Sequence, residues 1–216
     1  MIRELSFIDV LYLLAATRWT LALTAIAFVG GGLVGLLIAL LRVSTLPPLR
    51  WLGTLYVLVV QGTPLLAWLF VFFFGLSIVG VTVSPWLAAA ASFSIYAGAF
   101  LGEIWRGCLQ AIPRTQWEAG ASLGLGFVQQ LRYIIVPQAL RLAIPPTVGF
   151  LVQLIKNTSL AAVIGFIELT REGQLTTATT FRPFIVYLIV AAIYFALCFP
   201  LTQWSRRLER RLHVAR

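Results

Sequence analysis

Charged side chains are scarce in this chain, so the positions they do hold limit the chemistry open to it. Lysine and arginine together number 16 and aspartate and glutamate 7 in 216 residues. Two of these, Glu103 and Lys156, interrupt long apolar runs, where an ionisable group is costly and marks a functional site by default. Lys156 opens the polar run Lys156-Asn157-Thr158-Ser159, and Gln153 lies three residues before it. The run reads as a helix break in which Thr158 or Ser159 caps a new half-helix through Ile164. A cation beside a helix N-terminus suits an anionic group such as a carboxylate. The plainer reading is that Lys156 snorkels to the membrane surface. Glu103 precedes Arg106 by three residues, the spacing of a helical ion pair. A structural pair is the simpler reading there, a gate the sharper one.

Enzymatic chemistry has little to work with. The only histidine is His213, and Cys108 and Cys198 lie far apart without a metal-binding or redox spacing, so free thiols are expected. Lys156 is the only lysine and does not close a phosphate-binding loop of the form G-x-x-x-x-G-K-[ST]. The net charge of +9 does not form a basic patch interleaved with aromatics, which excludes a nucleic-acid footprint.

The elements that must position these residues are membrane helices. The chain is 60% hydrophobic and 11% charged, with a mean hydropathy of +0.95, far more apolar than a soluble domain. A spanning helix needs roughly 20 apolar residues. The first span is predicted from near Trp19 to Leu41, with Gly31 and Gly35 spaced for close helix approach. The second runs from Leu52 to Val79 and is interrupted at Gly62-Thr63-Pro64. The third covers Trp86 to Arg106, and the fourth covers Ala139 to Ile167, broken by Pro145-Pro146 and again at Lys156–Ser159. Glu168 to Thr180 reads as a polar loop, and the last span is Phe181 to Trp204. The fold class is therefore all-α, a polytopic membrane protein with about five spans, forming one domain over residues 1–216. The N-terminal stretch with Arg3, Glu4 and Asp9 lacks the form of a removable signal peptide.

Arginine placement orients the spans. Arg42, Arg50, Arg106, Arg114, Arg132, Arg141, Arg206, Arg207, Arg210, Arg211 and Arg216 fall on one side, and Arg3, Arg18, Arg171 and Arg182 on the other. The positive-inside rule then puts the C-terminus and the 107–137 loop in the cytosol and the N-terminus outside.

That loop holds its own short helices. Thr115-Gln116-Trp117-Glu118 has the [ST]-x-x-[DE] form of a capping box. A helix should follow through Ala119 and Ala121 and stop at Gly124 or Gly126. A second helix, Phe127 to Ile135, should end before Pro137. The loop is either a simple connection or a rigid docking surface, and its size and internal capping favour the latter.

Glu118-Ala119-Gly120, then Gly124, Ile134 and Pro137, resembles the EAA loop of ABC importer permeases. That pattern is Glu-Ala-Ala, a Gly six residues after the Glu, and a later Ile-x-Leu-Pro. Gly120 replaces the second Ala and Val136 the Leu. The remainder, from about residue 17 to 205, resembles the polar amino acid uptake branch of that family, the histidine/glutamine type. The resemblance is carried by Gln61-Gly62-Thr63-Pro64-Leu65-Leu66, Gly102-Glu103-Ile104-Trp105-Arg106-Gly107, Pro137-Gln138-Ala139-Leu140-Arg141 and Lys156-Asn157-Thr158-Ser159-Leu160.

The resemblance implies a type I importer permease in the inner membrane of a bacterium. It implies a second permease subunit, identical or homologous, and an extracytoplasmic substrate-binding protein that delivers an amino acid. It also implies two ABC ATPase subunits that carry the ATP and Mg, with no cofactor held by this chain. Glu118, Ala119, Gly120, Gly124, Ile134 and Pro137 would couple to the ATPases. Lys156, Asn157, Thr158, Ser159, Gln153 and Gln61 are candidates for the substrate path. Tyr96 and Phe150 stand where many members carry polar residues, as does Gly149. Either the substrate is not strongly basic, or this is the non-binding half of a heterodimer. A secondary transporter or a channel subunit without an ATPase partner is the rival class. The former would show midplane coupling residues and often an inverted repeat, and neither is visible.

Overall fold

The computed structural model describes the backbone of residues 4–214 and the side chains of residues 4–211. Arg3 and Arg216, used above to orient the chain, lie outside the described residues, as does the side chain of His213. The described chain is all-helical. Four helical stretches are long and apolar enough to cross a membrane, and a bent pair supplies a fifth if it is counted as one span.

The first helix, α1 (Phe7–Val43), begins about three turns before the predicted span. At 37 residues it is about 55 Å long, more than a bilayer core. Its start is set by Ser6 and Asp9: the Asp9 carboxylate accepts from the Ser6 backbone N–H at 2.8 Å. Periodicity of apolar residues missed this extension because Asp9 sits inside it; the structure buries Asp9.

After a short turn comes α2 (Pro47–Gln61), which opens on proline, where a missing N–H is harmless. The predicted interruption at Gly62–Pro64 is a bend of 93° leading into the second half of the pair. That half is α3 (Leu65–Phe70), a π-helical turn (Val71–Gly75) and α4 (Leu76–Ile78). The third apolar helix, α5 (Pro85–Gln110), starts at Ser84, whose hydroxyl accepts from the Leu87 N–H.

Helices α1 and α5 pack together more closely than any other pair because both present glycines. A methyl group at Gly35 would lie 2.9 Å from the Gly102 nitrogen and 3.1 Å from the Gly98 carbonyl oxygen. At Gly31 it would overlap the Ala97 side chain. The small-residue spacing read from the sequence is thus a backbone-to-backbone contact. Around it lies the main core, including Leu23, Ala27, Phe93, Leu101, Phe150 and Leu154.

Three further sequence expectations need correction. The polar loop contains α6 (Arg114–Ser122) and α7 (Phe127–Gln130), but the second helix does not end before Pro137. It passes through a π-helical turn (Leu131–Ile135) straight into α8 (Val136–Asn157). Pro137 falls in the first turn of α8, and the wider π turn just before it absorbs the proline's missing N–H.

Pro145 and Pro146 do not break α8. Their segment is held on two sides: Trp105 Nε1 donates to Thr147 Oγ1 at 3.0 Å, and Ser205 Oγ donates to the Pro145 carbonyl at 2.9 Å. Finally, Glu168–Thr180 is a helix with a cap: α9 (Leu169–Thr180). Its buried face, Leu169, Gly173, Thr176 and Thr180, has helical spacing but consists mostly of small or polar residues, so it carried no hydrophobic signal. The last helix is α10 (Pro183–Val214).

Candidate functional site

The loop between α5 and α8 is a folded module. The predicted capping box is not made: α6 starts at Arg114, with Pro113 at its N-cap and no side-chain cap. Pro113, in extended conformation at φ −57° and ψ 143°, starts the helix before Thr115 can serve as a cap. The predicted stop is present. Gly124 adopts φ +73°, the Gly124 N–H donates to Ala121 O at 2.9 Å, and the Leu125 N–H donates to Gly120 O at 3.1 Å. These are the two bonds of a Schellman cap.

Gly120 faces inward. A methyl group there would lie 3.0 Å from both Gln130 Cγ and Ile134 Cδ1. Gln130 is buried beneath it and donates from Nε2 to Leu125 O at 2.6 Å, locking the turn. Trp117 stacks on Phe127 at 5.7 Å, and Ile112, Ile135 and Ala139 form a small core below. The motif residues therefore divide by role in the fold. Gly120 and Ile134 pack the module, Gly124 turns it, and Pro137 lies where the π turn joins α8. Glu118 and Ala119 point outward. Beside them, Leu123, Val128 and Tyr133 are 77%, 71% and 65% exposed. An exposed apolar patch on a rigid frame is a surface suited to a protein partner.

The base of α5 holds the predicted Glu103–Arg106 pair. Arg106 Nε donates to Glu103 Oε2 at 3.0 Å, and Nη2 donates to Oε1. The sequence did not disclose the third member: Arg42 at the end of α1 donates to Oε2 from Nη1. The carboxylate thus ties α1 to α5, a structural role, and no gate is needed to explain it.

At the other end of α8 the half-helix reading fails. Thr158 Oγ1 donates to Ile155 O at 2.7 Å and Ser159 Oγ to Lys156 O at 2.8 Å. Both hydroxyls bond backwards, so neither caps a new helix. They tighten the end of α8 into a 3₁₀ segment, Thr158–Ile164. This segment follows α8 directly, with Asn157 still helical and no side-chain cap at its start.

The structure does gather part of the predicted set. Pro146, Gly149, Gln153 and Lys156 form one exposed stripe along α8. Asn157 is half-buried next to this stripe and interacts with Tyr96 of α5. Tyr96, Phe100 and Phe150 stack on one another, the Phe100 and Phe150 rings at 5.5 Å, but Phe150 itself is buried in the core, as is Thr158. Gln61 donates from Nε2 to Ala99 O of α5 at 3.3 Å, anchoring the end of α2.

Sequence reasoning passed over Glu168. Its carboxylate is fully buried and caps α9 by accepting from the Arg171 N–H at 2.9 Å. It also accepts from Tyr194 Oη of α10 at 2.9 Å and Thr20 Oγ1 of α1 at 3.4 Å. Burial pushes this carboxyl above the usual carboxylate range, against the pull of those donors. The available signal was an acidic residue directly before Leu169 at the junction of an apolar and a polar segment.

Comparison with known proteins identifies the family and the fold. Residues 31–214 match the family described as binding-protein-dependent transport system inner membrane component. The L-cystine transport system permease protein TcyB of Bacillus subtilis (strain 168) is 38% identical over 195 residues, covering 90% of this chain and 83% of that protein. The glutamine transport system permease protein GlnP of Escherichia coli (strain K12) is 33% identical over 204 residues, covering 94% and 93%. Among solved structures, the crystal structure of an amino acid ABC transporter with histidines superposes with a TM-score of 0.89 at 32% identity, covering 97% of this chain and 100% of that one. An inward-facing structure of the MetNI methionine ABC transporter shares the fold, with a TM-score of 0.73 at 21% identity, covering 91% and 96%. This chain therefore belongs to the binding-protein-dependent transport system inner membrane component family and is a multi-pass ABC permease subunit of the inner membrane.

Proposed function

We propose that this chain pairs with a second permease subunit, identical or homologous, to form the membrane path of an ATP-driven importer for amino acids. Two ATPase subunits, which bind the ATP and Mg, dock on the α6–α7 module around Glu118 and Ala119. A binding protein delivers the solute from outside. The N-terminus lies outside and the C-terminus in the cytosol, an orientation supported by the arginine bias.

The observation that carries this reading is the exposed stripe on α8. Lys156 and Gln153 are exposed, and the Lys156 ammonium makes no hydrogen bond or ion pair among the described residues. A charge on a membrane helix is too costly to leave against hydrocarbon, so this face lines a wet path or meets another subunit. The Lys156 ammonium suits an α-carboxylate, the group that all amino acids share. Gln153 and Asn157 add neutral hydrogen bonds. The aromatic stack of Tyr96, Phe100 and Phe150 offers no carboxylate to a cationic side chain, which favours solutes such as the neutral amino acids for which the relatives are named.

The test is radiolabelled amino acid uptake into proteoliposomes holding the assembled complex. Lys156→Met should abolish or strongly weaken uptake without lowering the amount of complex, and Lys156→Arg should keep part of it. Uptake by Lys156→Met at the wild-type rate would mean that the lysine snorkels and that the carboxylate is held elsewhere. Copurification of an ATPase subunit checks the energy source. Reporter fusions after Pro113 and within 174–180 check orientation, the first expected cytosolic and the second external.

A further inference from the structure

The arginines at the end of α1 converge on a cleft that the transport reading leaves unused. Arg42 of α1, Arg50 of α2 and Arg106 of α5 line a space of about 380 Å³ together with Trp51, Thr54 and Gln110. The lining has no acidic residue. Glu103, behind it, is shared by Arg42 and Arg106, so three guanidinium groups stand against one carboxylate. Arg42 Nε is buried without a hydrogen-bond partner, and the Arg50 side chain makes no bond among the described residues.

The cleft lies where the apolar run of α1 ends and α2 begins, at the edge of the membrane. From it an apolar stripe descends along one face of α2. Trp51, Leu55 and Leu58, at i, i+4 and i+7, are 66%, 41% and 66% exposed. Tryptophan belongs at the headgroup level. A general bias toward arginine on one side of a membrane explains positive loops. It does not explain three guanidinium groups turned into one cleft with donors to spare.

We propose that this cleft binds the phosphate headgroup of an anionic phospholipid, whose acyl chains lie along the Trp51–Leu55–Leu58 stripe. Guanidinium groups match phosphate oxygens in charge and in bidentate geometry. Free phosphate has the same headgroup chemistry, but it leaves the stripe uncovered, so the lipid is the better fit. The inference rests on the membrane location of the chain and is independent of which solute is carried.

The experiment uses the full chain in phosphatidylcholine proteoliposomes doped with brominated phosphatidylglycerol or, at equal fraction, brominated phosphatidylcholine. Trp51 is one of 7 tryptophans, so its quenching is taken as the difference between wild type and Trp51→Phe. Brominated phosphatidylglycerol should quench Trp51 preferentially. Arg50→Gln should reduce that preference about five-fold, the worth of one arginine near an anionic lipid surface, and Arg50→Lys should restore most of it. Equal quenching by both lipids in the wild type overturns the proposal, as does a full preference in Arg50→Gln. Loss of the preference on adding millimolar inorganic phosphate also overturns it, since the cleft would then be a site for free phosphate.

Discussion

Gly124 offers a clean perturbation of the α6–α7 module because its surroundings are empty. Its φ is +73°, and a Cβ built there meets no heavy atom within 4 Å. Any cost of a side chain is therefore conformational. An L-residue in the left-handed region costs about 1–2 kcal/mol, with a β-branched residue at the upper end, whereas asparagine tolerates the region and falls below that range. Gly124→Val should weaken the cap by about 2 kcal/mol and Gly124→Asn by a few tenths. One to two kcal/mol is a factor of roughly 5–30 in a local equilibrium. The amides to watch are those of residue 124 and Leu125, which donate to Ala121 O at 2.9 Å and Gly120 O at 3.1 Å. Hydrogen exchange at these two positions should accelerate in Gly124→Val by about that factor, with Gly124→Asn close to wild type. Wild-type exchange in Gly124→Val, or equal effects of valine and asparagine, would refute the backbone argument. The same variant should impair uptake while the complex remains in the membrane. Normal uptake by both Gly124→Val and Glu118→Ala would remove the module from the coupling path.

Two further outcomes follow from the packing. Gly35→Leu should separate α1 from α5, because even a methyl group there meets Gly102 N at 2.9 Å. A loss of about 3 kcal/mol or more is expected, read as a lowered melting temperature in detergent; an unchanged melting temperature would mean that the contact is not made. Glu168→Ala should cost about 2 kcal/mol, since it strands the Arg171 N–H and leaves the Tyr194 hydroxyl only its bond to Thr170 Oγ1, while Glu168→Gln should cost less. Burial raises the Glu168 carboxyl in the folded state, so its stabilising contribution is fully present below the unfolded value near 4.3 and falls as pH rises through the raised folded value. The stability advantage of wild type over Glu168→Gln should therefore shrink from acid toward neutral pH in thermal unfolding.

Composition and local spacing were enough to identify a membrane protein, its apolar helices and the break at Gly62–Pro64. A bilayer demands long apolar helices whatever their neighbours. Local rules also located the Gly124 cap and the Glu103–Arg106 pair, since both depend on residues within one or two turns. The Gly31 and Gly35 contact face was legible because small residues at that spacing serve close helix approach. The family resemblance supplied the residues proposed for docking, Glu118 and Ala119 among them.

Tertiary structure decided whatever depends on a partner from another helix. Arg42 completes the Glu103 cluster across 61 positions of sequence, and Thr20 and Tyr194 bury Glu168 from α1 and α10. Local rules also misjudged two breaks. The diproline was read as a break in α8, but Trp105 and Ser205 hold that stretch in a continuous helix. Thr158 and Ser159 were read as caps of a new helix, but their hydroxyls satisfy carbonyls already at the end of α8. In each case the sequence showed which polar groups needed partners. A backbone or side-chain group takes whichever partner the folded neighbours bring within hydrogen-bond reach, and only the packed helices determine which partner that is.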